Sequence, residues 1–244
     1  MTGHTNIIDS LIVLSDGTLA SCSGDLTIRL WDTKTGQTIR ILTGHTIWVD
    51  SLAILSDGTL VSGGDDNEIR FWDTKTGQKI KIFTDHTNWI DSLAVLSDDT
   101  LASGSTDITI RLWNTTNGQT IKIINSGHSG TVEALVVLPD QSLASGGLDS
   151  TIRLWNTSSG LLIRTFIGHS GFVVSLDVLP DGKLASGSAN TTIRLWDKNS
   201  GQTIKILTGH TSSVNAVVVL QDGTLASGSS DKAIRLWDMN DHTI

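Results

Sequence analysis

The chain has 244 residues, with 17 Lys and Arg against 25 Asp and Glu, a formal net charge of −8 and 38% hydrophobic residues. This composition excludes a disordered tail, and the acidic balance argues against nucleic-acid binding, which needs clustered Lys and Arg. The apolar stretches are too short to cross a bilayer, the first ten residues have no apolar signal core, and the single Cys22 excludes an intramolecular disulfide and fits a reducing compartment. We therefore expect a soluble, cytoplasmic protein.

A tryptophan recurs every 41 or 42 residues, and a histidine lies 27 residues before each of these tryptophans. A fixed period of about 40 residues is typical of repeat architectures. The chain is therefore six copies of one unit, and we predict a single domain over residues 1–244. The repeated pairs are His4 and Trp31, His45 and Trp72, His86 and Trp113, His128 and Trp155, His169 and Trp196, and His210 and Trp237.

Each unit contains four short runs rich in Ile, Val, Leu and Thr, separated by Asp, Gly, Asn and Ser. In the second unit these runs span residues 48–55, 60–64, 68–73 and 79–83. The pattern predicts four β-strands per unit, and no run has the length or periodicity of a helix.

The first two runs of a unit meet at a turn signal. Asp-Gly at this position predicts a two-residue hairpin turn with both residues at positive φ. In the third and fourth units Asp98-Asp99 and Asp140-Gln141 replace the pair, and we expect these turns to be more strained. The Asp-Gly pairs lie at residues 16–17, 57–58, 181–182 and 222–223.

Four strands cannot bury both faces of their sheet alone, so the units must pack on one another, and the period favours a ring of radial sheets over a stack. Gly-His and Trp-Asp dipeptides mark most units, as at residues 44–45 and 72–73. The chain thereby resembles the WD-repeat β-propeller family over nearly its whole length. The resemblance implies an all-β fold, a six-bladed β-propeller of four-stranded antiparallel blades. The departures are Asp85 before the third His, and Asn114 and Asn156 after the third and fourth Trp.

The sixth unit differs from the others because only seven residues follow Trp237. The last blade is therefore predicted to be incomplete. Two interpretations stay open: a closed six-bladed ring whose termini meet in the last blade, and a fragment of a longer array. In either case the outer edge of this blade is expected to fray first.

Ser and Asp also recur at fixed distances from each His and Trp, and Ser, His and Asp are the residue types of a hydrolase triad. A nucleophile is normally built once, so six equally spaced copies indicate a structural role. The resemblance implies the same role, a hydrogen-bond relay from Asp through His and Ser to Trp. Asn190 replaces the Asp of the fifth unit, where we expect the weakest relay. The other members are Ser21, Asp25, Ser62, Asp66, Ser103, Asp107, Ser145, Asp149, Ser186, Ser227 and Asp231.

Function is expected where the units differ, because shared residues build the common scaffold. Three variable columns lie three residues after each His, five residues after it, and just before the turn Asp. The first column is Ile7, Trp48, Trp89, Thr131, Phe172 and Ser213; the second is Asp9, Asp50, Asp91, Glu133, Val174 and Asn215; the third is Gly24, Asp65, Thr106, Leu148, Ala189 and Ser230. The resemblance implies that such positions line the surface on which partners dock.

Trp48 and Trp89 are the only tryptophans outside the repeated position, and carboxylates accompany them. Exposed Trp beside carboxylates suits a protein or peptide partner that carries Arg or Lys. The predicted partner-binding residues are Trp48, Asp50, Asp65, Trp89, Asp91, Glu133, Leu148, Phe172 and Val174.

We therefore predict a non-enzymatic interaction scaffold with no cofactor, no metal, no nucleic acid and no membrane partner. Two alternatives stay open. One is a hydrolase that uses one of the Ser/His/Asp sets. The other is the sensor or substrate-recognition portion of a larger signalling or ubiquitin-ligase protein, which rests on fold analogy alone.

Overall fold

The computed structural model describes residues 1–239, which contain 23 β-strands and no helix. Consecutive strands form six antiparallel sheets, the blades; five blades have four strands and the last has three. The predicted fold class, an all-β β-propeller of six blades, is confirmed, and the last blade has three strands within residues 1–239. The expected outer edge of that blade, after Trp237, lies largely outside the described residues. The chain divides into two compact units, Met1–Ile123 and a second that begins at Ile124. From here on, 'first unit' and 'second unit' mean these two parts of the chain, and each sequence repeat is called a blade. The prediction of a single domain over the whole chain stays a prediction.

The strands follow the repeat. Blade one has β1 (Ile8–Val13), β2 (Leu19–Ser23), β3 (Thr27–Trp31) and β4 (Thr38–Thr43); blade two has β5 (Val49–Ile54), β6 (Leu60–Gly64), β7 (Ile69–Trp72) and β8 (Lys79–Phe83); blade three has β9 (Ile90–Val95), β10 (Leu101–Ser105), β11 (Thr109–Trp113) and β12 (Thr120–Asn125). Blade four has β13 (Val132–Val137), β14 (Leu143–Gly147), β15 (Ile152–Trp155) and β16 (Leu162–Phe166); blade five has β17 (Val173–Val178), β18 (Leu184–Ser188), β19 (Ile193–Trp196) and β20 (Thr203–Leu207); blade six has β21 (Val214–Val219), β22 (Leu225–Ser229) and β23 (Ile234–Trp237).

Within each unit the core lies between neighbouring blades. In the first unit, Ile28 and Leu30 of β3 cluster with Val49 and Leu52 of blade two. In the second unit, equivalent residues of blade five cluster with blade six. Each such side chain gains roughly 1.5–3 kcal/mol when fully buried, so blade-to-blade contact is the main source of stability.

The turn between the first and second strands differs from the prediction. In blade one the Leu14 N–H donates to Thr18 O at 2.8 Å, and the Gly17 N–H donates to Leu14 O at 2.9 Å. The loop therefore has three residues, and only its last, Gly17, has positive φ, at 84°. The two-residue turn was a wrong prediction: Asp16 instead uses its side chain to accept the Thr18 N–H at 2.9 Å. Three-residue hairpin loops that end in a left-handed residue are the next most common type.

Two of these turns place a side-chain residue in the left-handed region, Asp99 with φ 60° and Gln141 with φ 65°. A left-handed conformation costs roughly 1–2 kcal/mol for a residue other than glycine. The strain expected at these two turns is thus present in the backbone.

Gln141→Gly is expected to raise the free energy of unfolding by about 0.5–1 kcal/mol, because glycine adopts the left-handed region without steric cost while its extra freedom in the unfolded chain offsets part of the gain. Urea unfolding monitored by tryptophan fluorescence measures this change. The matched control is Gly17→Gln, which should lose a similar amount because a Cβ there meets only open space and the cost is conformational. A loss of stability in Gln141→Gly would contradict the assignment.

Candidate functional site

Four side chains of blade one form a continuous hydrogen-bond relay. The indole N–H of Trp31 donates to Ser21 Oγ at 2.7 Å. Ser21 Oγ lies 2.7 Å from His4 Nε2, and the other ring nitrogen, Nδ1, lies 2.8 Å from Asp25 Oδ2. The network assigns a neutral His that donates from Nδ1 and accepts the Ser hydroxyl at Nε2. Burial alone would raise the pKa of Asp25, but hydrogen bonds from Thr27, His4 and backbone N–H groups lower it to about 2.

Blades two, three, four and six repeat the relay with donor–acceptor distances of 2.6–2.9 Å. All six relay serines are buried. A buried Ser Oγ that already accepts an indole N–H is not presented to a substrate. The geometry therefore supports a role in satisfying polar groups between packed blades.

Blade five lacks the last link of the relay. Ser186 still bonds His169 at 2.7 Å and accepts the Trp196 N–H at 2.8 Å, but His169 Nδ1 is buried without a partner. Asn190 donates instead to Ser170 Oγ at 3.3 Å. Burial, followed by the positive charge of Arg194, lowers the pKa of His169 to about 4.

The first and third variable columns lie side by side in every blade. In blade two the Asp65 N–H donates to the carbonyl of Trp48 at 3.0 Å, and in blade three the Thr106 N–H donates to the carbonyl of Trp89 at 3.0 Å. The equivalent bond is 2.9–3.1 Å in the other four blades. Two columns that are 17 residues apart in the chain thus share one end of each blade.

The second column occupies a β-bulge, which the sequence did not reveal. In blade two the register between β5 and β6 shifts between Val49 and Ser51, so Asp50 has no partner in the ladder. The same shift skips the second-column residue in each of the other blades. Bulges re-aim side chains and concentrate near functional sites. A side chain at this position is free to vary because the ladder does not depend on it.

The first unit brings the predicted carboxylates together. Burial raises the pKa of Asp50, and the charge of Asp65, a hydrogen bond with Asp65 and the charges of Asp9 and Asp91 raise it further, to about 8. Burial also raises the pKa of Asp65 and that of Asp9, on which the charge of Asp65 acts as well. Burial and the neighbouring negative charges therefore favour a proton on the Asp50–Asp65 pair at neutral pH. Asp91 is held by Thr106, whose hydroxyl donates to it at 3.0 Å.

The two unusual tryptophans are exposed, Trp48 by 40% and Trp89 by 48%. The Trp48 ring packs against blade one, because a Cβ added to Gly24 would lie 3.0 Å from two of its ring atoms. The absence of a side chain at Gly24 therefore makes room for the ring. An indole held in this way is pre-organised for contact with a ligand.

The second unit holds the remaining predicted residues. Glu133, in the bulge of β13, has a pKa raised by burial. Leu148 lies against Gly130, where an added Cβ would be 3.0 Å from the Leu148 Cβ. On blade five Phe172 is exposed and Val174 occupies the bulge. The second unit thus carries one carboxylate and an apolar group at its variable positions.

A comparison with protein families identifies the repeat. The family model described as WD domain, G-beta repeat matches residues 1–32, 36–73, 77–114, 118–156, 160–197 and 201–238. The chain belongs to the WD-repeat family. No curated protein matches the chain.

Two features favour the glycine of the WD-repeat Gly-His dipeptide. Gly44, Gly127 and Gly209 have positive φ, at 151°, 62° and 149°, which strains any other residue. The flexible end of an arginine also lies close to the glycine in each of the five blades that have it. A Cβ added to Gly44 would lie 2.8 Å from Arg70 Nη1, and the equivalent distances at Gly3, Gly127, Gly168 and Gly209 are 2.6–3.2 Å. Blade three has Asp85 there, and its carboxylate lies 3.7 Å from Arg111 and accepts the Thr120 hydroxyl at 2.6 Å. The departure from the motif thus replaces a close approach with a charge pair.

The Trp-Asp carboxylate of this WD-repeat protein closes the following turn. Asp32 Oδ1 accepts the Lys34 N–H at 2.8 Å and the Thr35 N–H at 3.0 Å. Asn114 does the same through its amide oxygen, at 2.9 Å to the N–H of Thr116. The Asn residues are therefore compatible with the motif because only the oxygen is used.

Two further observations on the described residues concern metal ligands and membrane-spanning helices. Among residues 1–239 no group of three or more His, Cys, Asp or Glu side chains is arranged to hold a metal ion. In the same part of the chain no helix is long and apolar enough to span a membrane.

Asn190→Asp is expected to complete the relay of blade five and to raise the free energy of unfolding by about 1–2 kcal/mol at pH 7, because a charged acceptor then meets the His169 Nδ1–H. The pKa of such a carboxyl is lowered by folding. Its contribution is therefore present above the unfolded value near 4 and lost as the pH falls through the folded value. Urea unfolding at pH 7 and pH 3 checks both points. Asp107→Asn, the reverse change in blade three, is the control and should destabilise; equal stability of both variants with the wild type would contradict the relay.

Asp50→Asn is expected to stabilise the protein increasingly as the pH rises from about 4 to about 9. Because the folded pKa of Asp50 lies near 8, above its unfolded value, the wild type loses stability as the pH rises through this window. After allowance for solvent screening the gain at pH 9 is about 1 kcal/mol, roughly 2–4 °C in melting temperature. Thermal melts across the pH range measure it. Asp57→Asn, an exposed change whose amide oxygen can still cap its turn, should show no such trend; a parallel trend in it would refute the acidic pair.

Proposed function

We propose that this WD-repeat protein is a non-enzymatic interaction scaffold that binds an Arg- or Lys-containing peptide or protein segment at the variable end of blades one to three. The observation that carries the proposal is the Asp50–Asp65 pair, where burial and, after it, the neighbouring negative charges favour a proton on a carboxyl at neutral pH. An arriving cation replaces that proton. The WD-repeat family is commonly used for protein interaction, and this use agrees with the proposal.

The electrostatics favour a cation of organic type. Asp9, Asp50, Asp65 and Asp91 influence one another, yet no arrangement of three such ligands around a metal ion exists in residues 1–239. A guanidinium group presents several donors in one plane and pairs well with carboxylates, and it also stacks on aromatic rings.

The tryptophans supply the second half of the recognition. Trp48 and Trp89 are exposed at the ends of adjacent blades, which pack through β5 and β9. Cation–π contact with an indole contributes about 0.5–2 kcal/mol. We infer that the partner's Arg or Lys side chain enters between the indoles and the carboxylates.

The variable residues of the second unit provide a contact of different chemistry. Leu148, Phe172 and Val174 suit an apolar side chain, and Glu133 adds one carboxylate. We propose that they contact an apolar part of the same class of partner, and that the protein works in the cytoplasm. The buried relay serines supply no observation in favour of the hydrolase alternative.

Trp48→Ala and Trp89→Ala are each expected to weaken binding of an Arg-rich peptide by about tenfold or more, because truncation of an aromatic anchor costs roughly 2 kcal/mol. Trp89→Ala should melt near the wild type because its ring is about half exposed, whereas Trp48→Ala also loses the contact of its ring with Gly24 and should melt slightly lower. Affinity is therefore measured well below both melting temperatures. Fluorescence anisotropy with a labelled peptide of alternating Arg and Ser measures the affinity. The same peptide with Glu in place of Arg should not bind.

The acidic pair is tested in the same assay. Affinity of the wild type for the Arg peptide should rise between pH 6 and pH 9 as Asp50 loses its proton, and Asp50→Asn should abolish this rise. The double variant Asp57→Asn and Asp222→Asn removes two exposed carboxylates elsewhere and controls for net charge. If it weakens binding as much as Asp50→Asn with Asp65→Asn, the proposed site is wrong and the attraction is only that of an acidic surface.

A further inference from the structure

The outer strand of blade four is apolar where the other outer strands are polar. Leu161, Leu162 and Ile167 are 69%, 45% and 77% exposed. They lie just before β16, at its first residue and just after it. The equivalent residues are Gln37, Thr38 and Thr43 in blade one; Gln78, Lys79 and Thr84 in blade two; Gln119, Thr120 and Asn125 in blade three; and Gln202, Thr203 and Thr208 in blade five. The common scaffold therefore does not need apolar residues at these positions.

The backbone of this strand is paired on one side only. The sheet of blade four has the order β13, β14, β15, β16, so β16 pairs with β15 alone among the described residues. The ladder joins Ile152 to Phe166 and Leu154 to Arg164. In an antiparallel pair every second residue of an edge strand directs its N–H and C=O away from the sheet. Exposed apolar side chains beside such groups suit the addition of another strand.

The one charged side chain of this edge is bound to the neighbouring blade. Arg164 is the only Lys, Arg, Asp or Glu between residues 156 and 168. Its Nη1 donates to the carbonyl of Ser200 in blade five at 3.0 Å. An added Cβ at Gly201 would lie 2.8 Å from Arg164 Cδ, so the side chain lies along that turn. A strand that approaches β16 therefore meets no unpaired charge.

The order of residues along the edge is self-complementary. Apolar residues lie at both ends, Leu161 to Ile163 at one and Ile167 at the other, with Arg164 and Thr165 between them. Two antiparallel copies related by a two-fold axis near Arg164 place Leu161 of each beside Ile167 of the other. The two guanidinium groups stay apart because each is held by blade five of its own molecule.

We propose that β16 of one molecule pairs antiparallel with β16 of a second copy of this chain. The two four-stranded sheets of blade four then form one continuous sheet. The second copy is the occupant because it brings an apolar residue to each apolar end and a strand edge to the unpaired backbone. Both molecules use the same surface, so the contact closes at the dimer.

Self-association is tested by sedimentation velocity over a range of protein concentrations. The wild type should reach twice the monomer mass and grow no further, and it should dissociate on dilution because the contact is small. Leu161→Lys with Ile167→Lys should stay monomeric, since Lys then meets Lys across the two-fold axis. Leu161→Glu with Ile167→Glu should be monomeric for the same reason. A 1:1 mixture of these two double variants should form the dimer again.

The matched control places the same charges on the outer strand of blade five. Gln202→Lys with Thr208→Lys changes the two exposed residues equivalent to Leu161 and Ile167. This variant should dimerise like the wild type. All the double variants should melt near the wild type, because the changed side chains are exposed and leave the cores between blades intact.

Hydrogen exchange distinguishes strand pairing from a contact of side chains alone. Amides within residues 161–167 of the wild type should exchange more slowly at high protein concentration than at low. The Leu161→Lys and Ile167→Lys double variant should lose this dependence on concentration, and residues 202–208 should show none in either protein.

Four results would overturn the proposal. A wild type that is monomeric at every concentration would mean that this edge does not bind a second copy. A control variant that is also monomeric would assign the effect to charge in general. Failure of the Lys and Glu variants to associate with each other would exclude the antiparallel arrangement. A dimer without slower exchange in residues 161–167 would place the contact elsewhere.

Discussion

Apolar contact between successive blades is the constraint on which the rest of the structure depends. A four-stranded sheet with two apolar faces needs a neighbour on each face. Between blades one and two, Ile28 and Val49 belong to this contact. Equivalent residues form it between blades two and three, four and five, and five and six. The fit is close at Gly63, where an added Cβ would lie 2.7 Å from Ile90. Blade one has Cys22 at the equivalent position, in a cluster with the smaller Val49. Because each blade must match the next, the packing strands have nearly the same sequence throughout. The three variable columns lie at the blade ends and in the bulges, outside these cores, although the Trp48 ring of blade two reaches Gly24 of blade one.

The polar relay follows from that packing and reaches the variable positions. Packing removes the Trp72 indole from water, so its N–H needs a partner within the protein. It donates to Ser62, Ser62 is hydrogen-bonded to His45, and His45 is hydrogen-bonded to Asp66 at the blade end. Asp66 also accepts the backbone N–H of Thr46 at 3.0 Å, in the segment that leads to Trp48. The relay therefore fixes the loop on which the first variable column stands. A residue group that looks catalytic by composition instead positions the residues that distinguish one blade from another.

The sequence predicted what repetition makes visible and missed what backbone geometry adds. The His and Trp period, the strands and the incomplete sixth blade followed from spacing. The pairing of the first and third columns, as between Trp48 and Asp65, needed the strand ends to be placed. The bulge at Asp50 shifts the alternation of side chains by one residue, so that Val49 and Leu52 face the same core although they are three residues apart. This spacing was the signal of the bulge, but over a run of six residues it is not distinct from ordinary strand alternation. The turn at Asp16-Gly17 was assigned two left-handed residues because the dipeptide signal does not distinguish loop lengths of two and three.

Repetition also explains how a costly charge cluster arises. Burial alone already raises the pKa of a single carboxyl in a bulge, as it does at Glu133. Asp9, Asp50 and Asp91 occupy the bulges of three successive blades. In addition to burial, the negative charges of Asp65, Asp9 and Asp91 raise the pKa of Asp50. The cluster opposes folding at neutral pH, yet none of its members belongs to the ladder or to a blade-to-blade core. Because the cores between blades stabilise the fold, it tolerates unfavourable electrostatics at the blade ends, and the cation that we propose as the ligand would recover the free energy that the bare cluster loses.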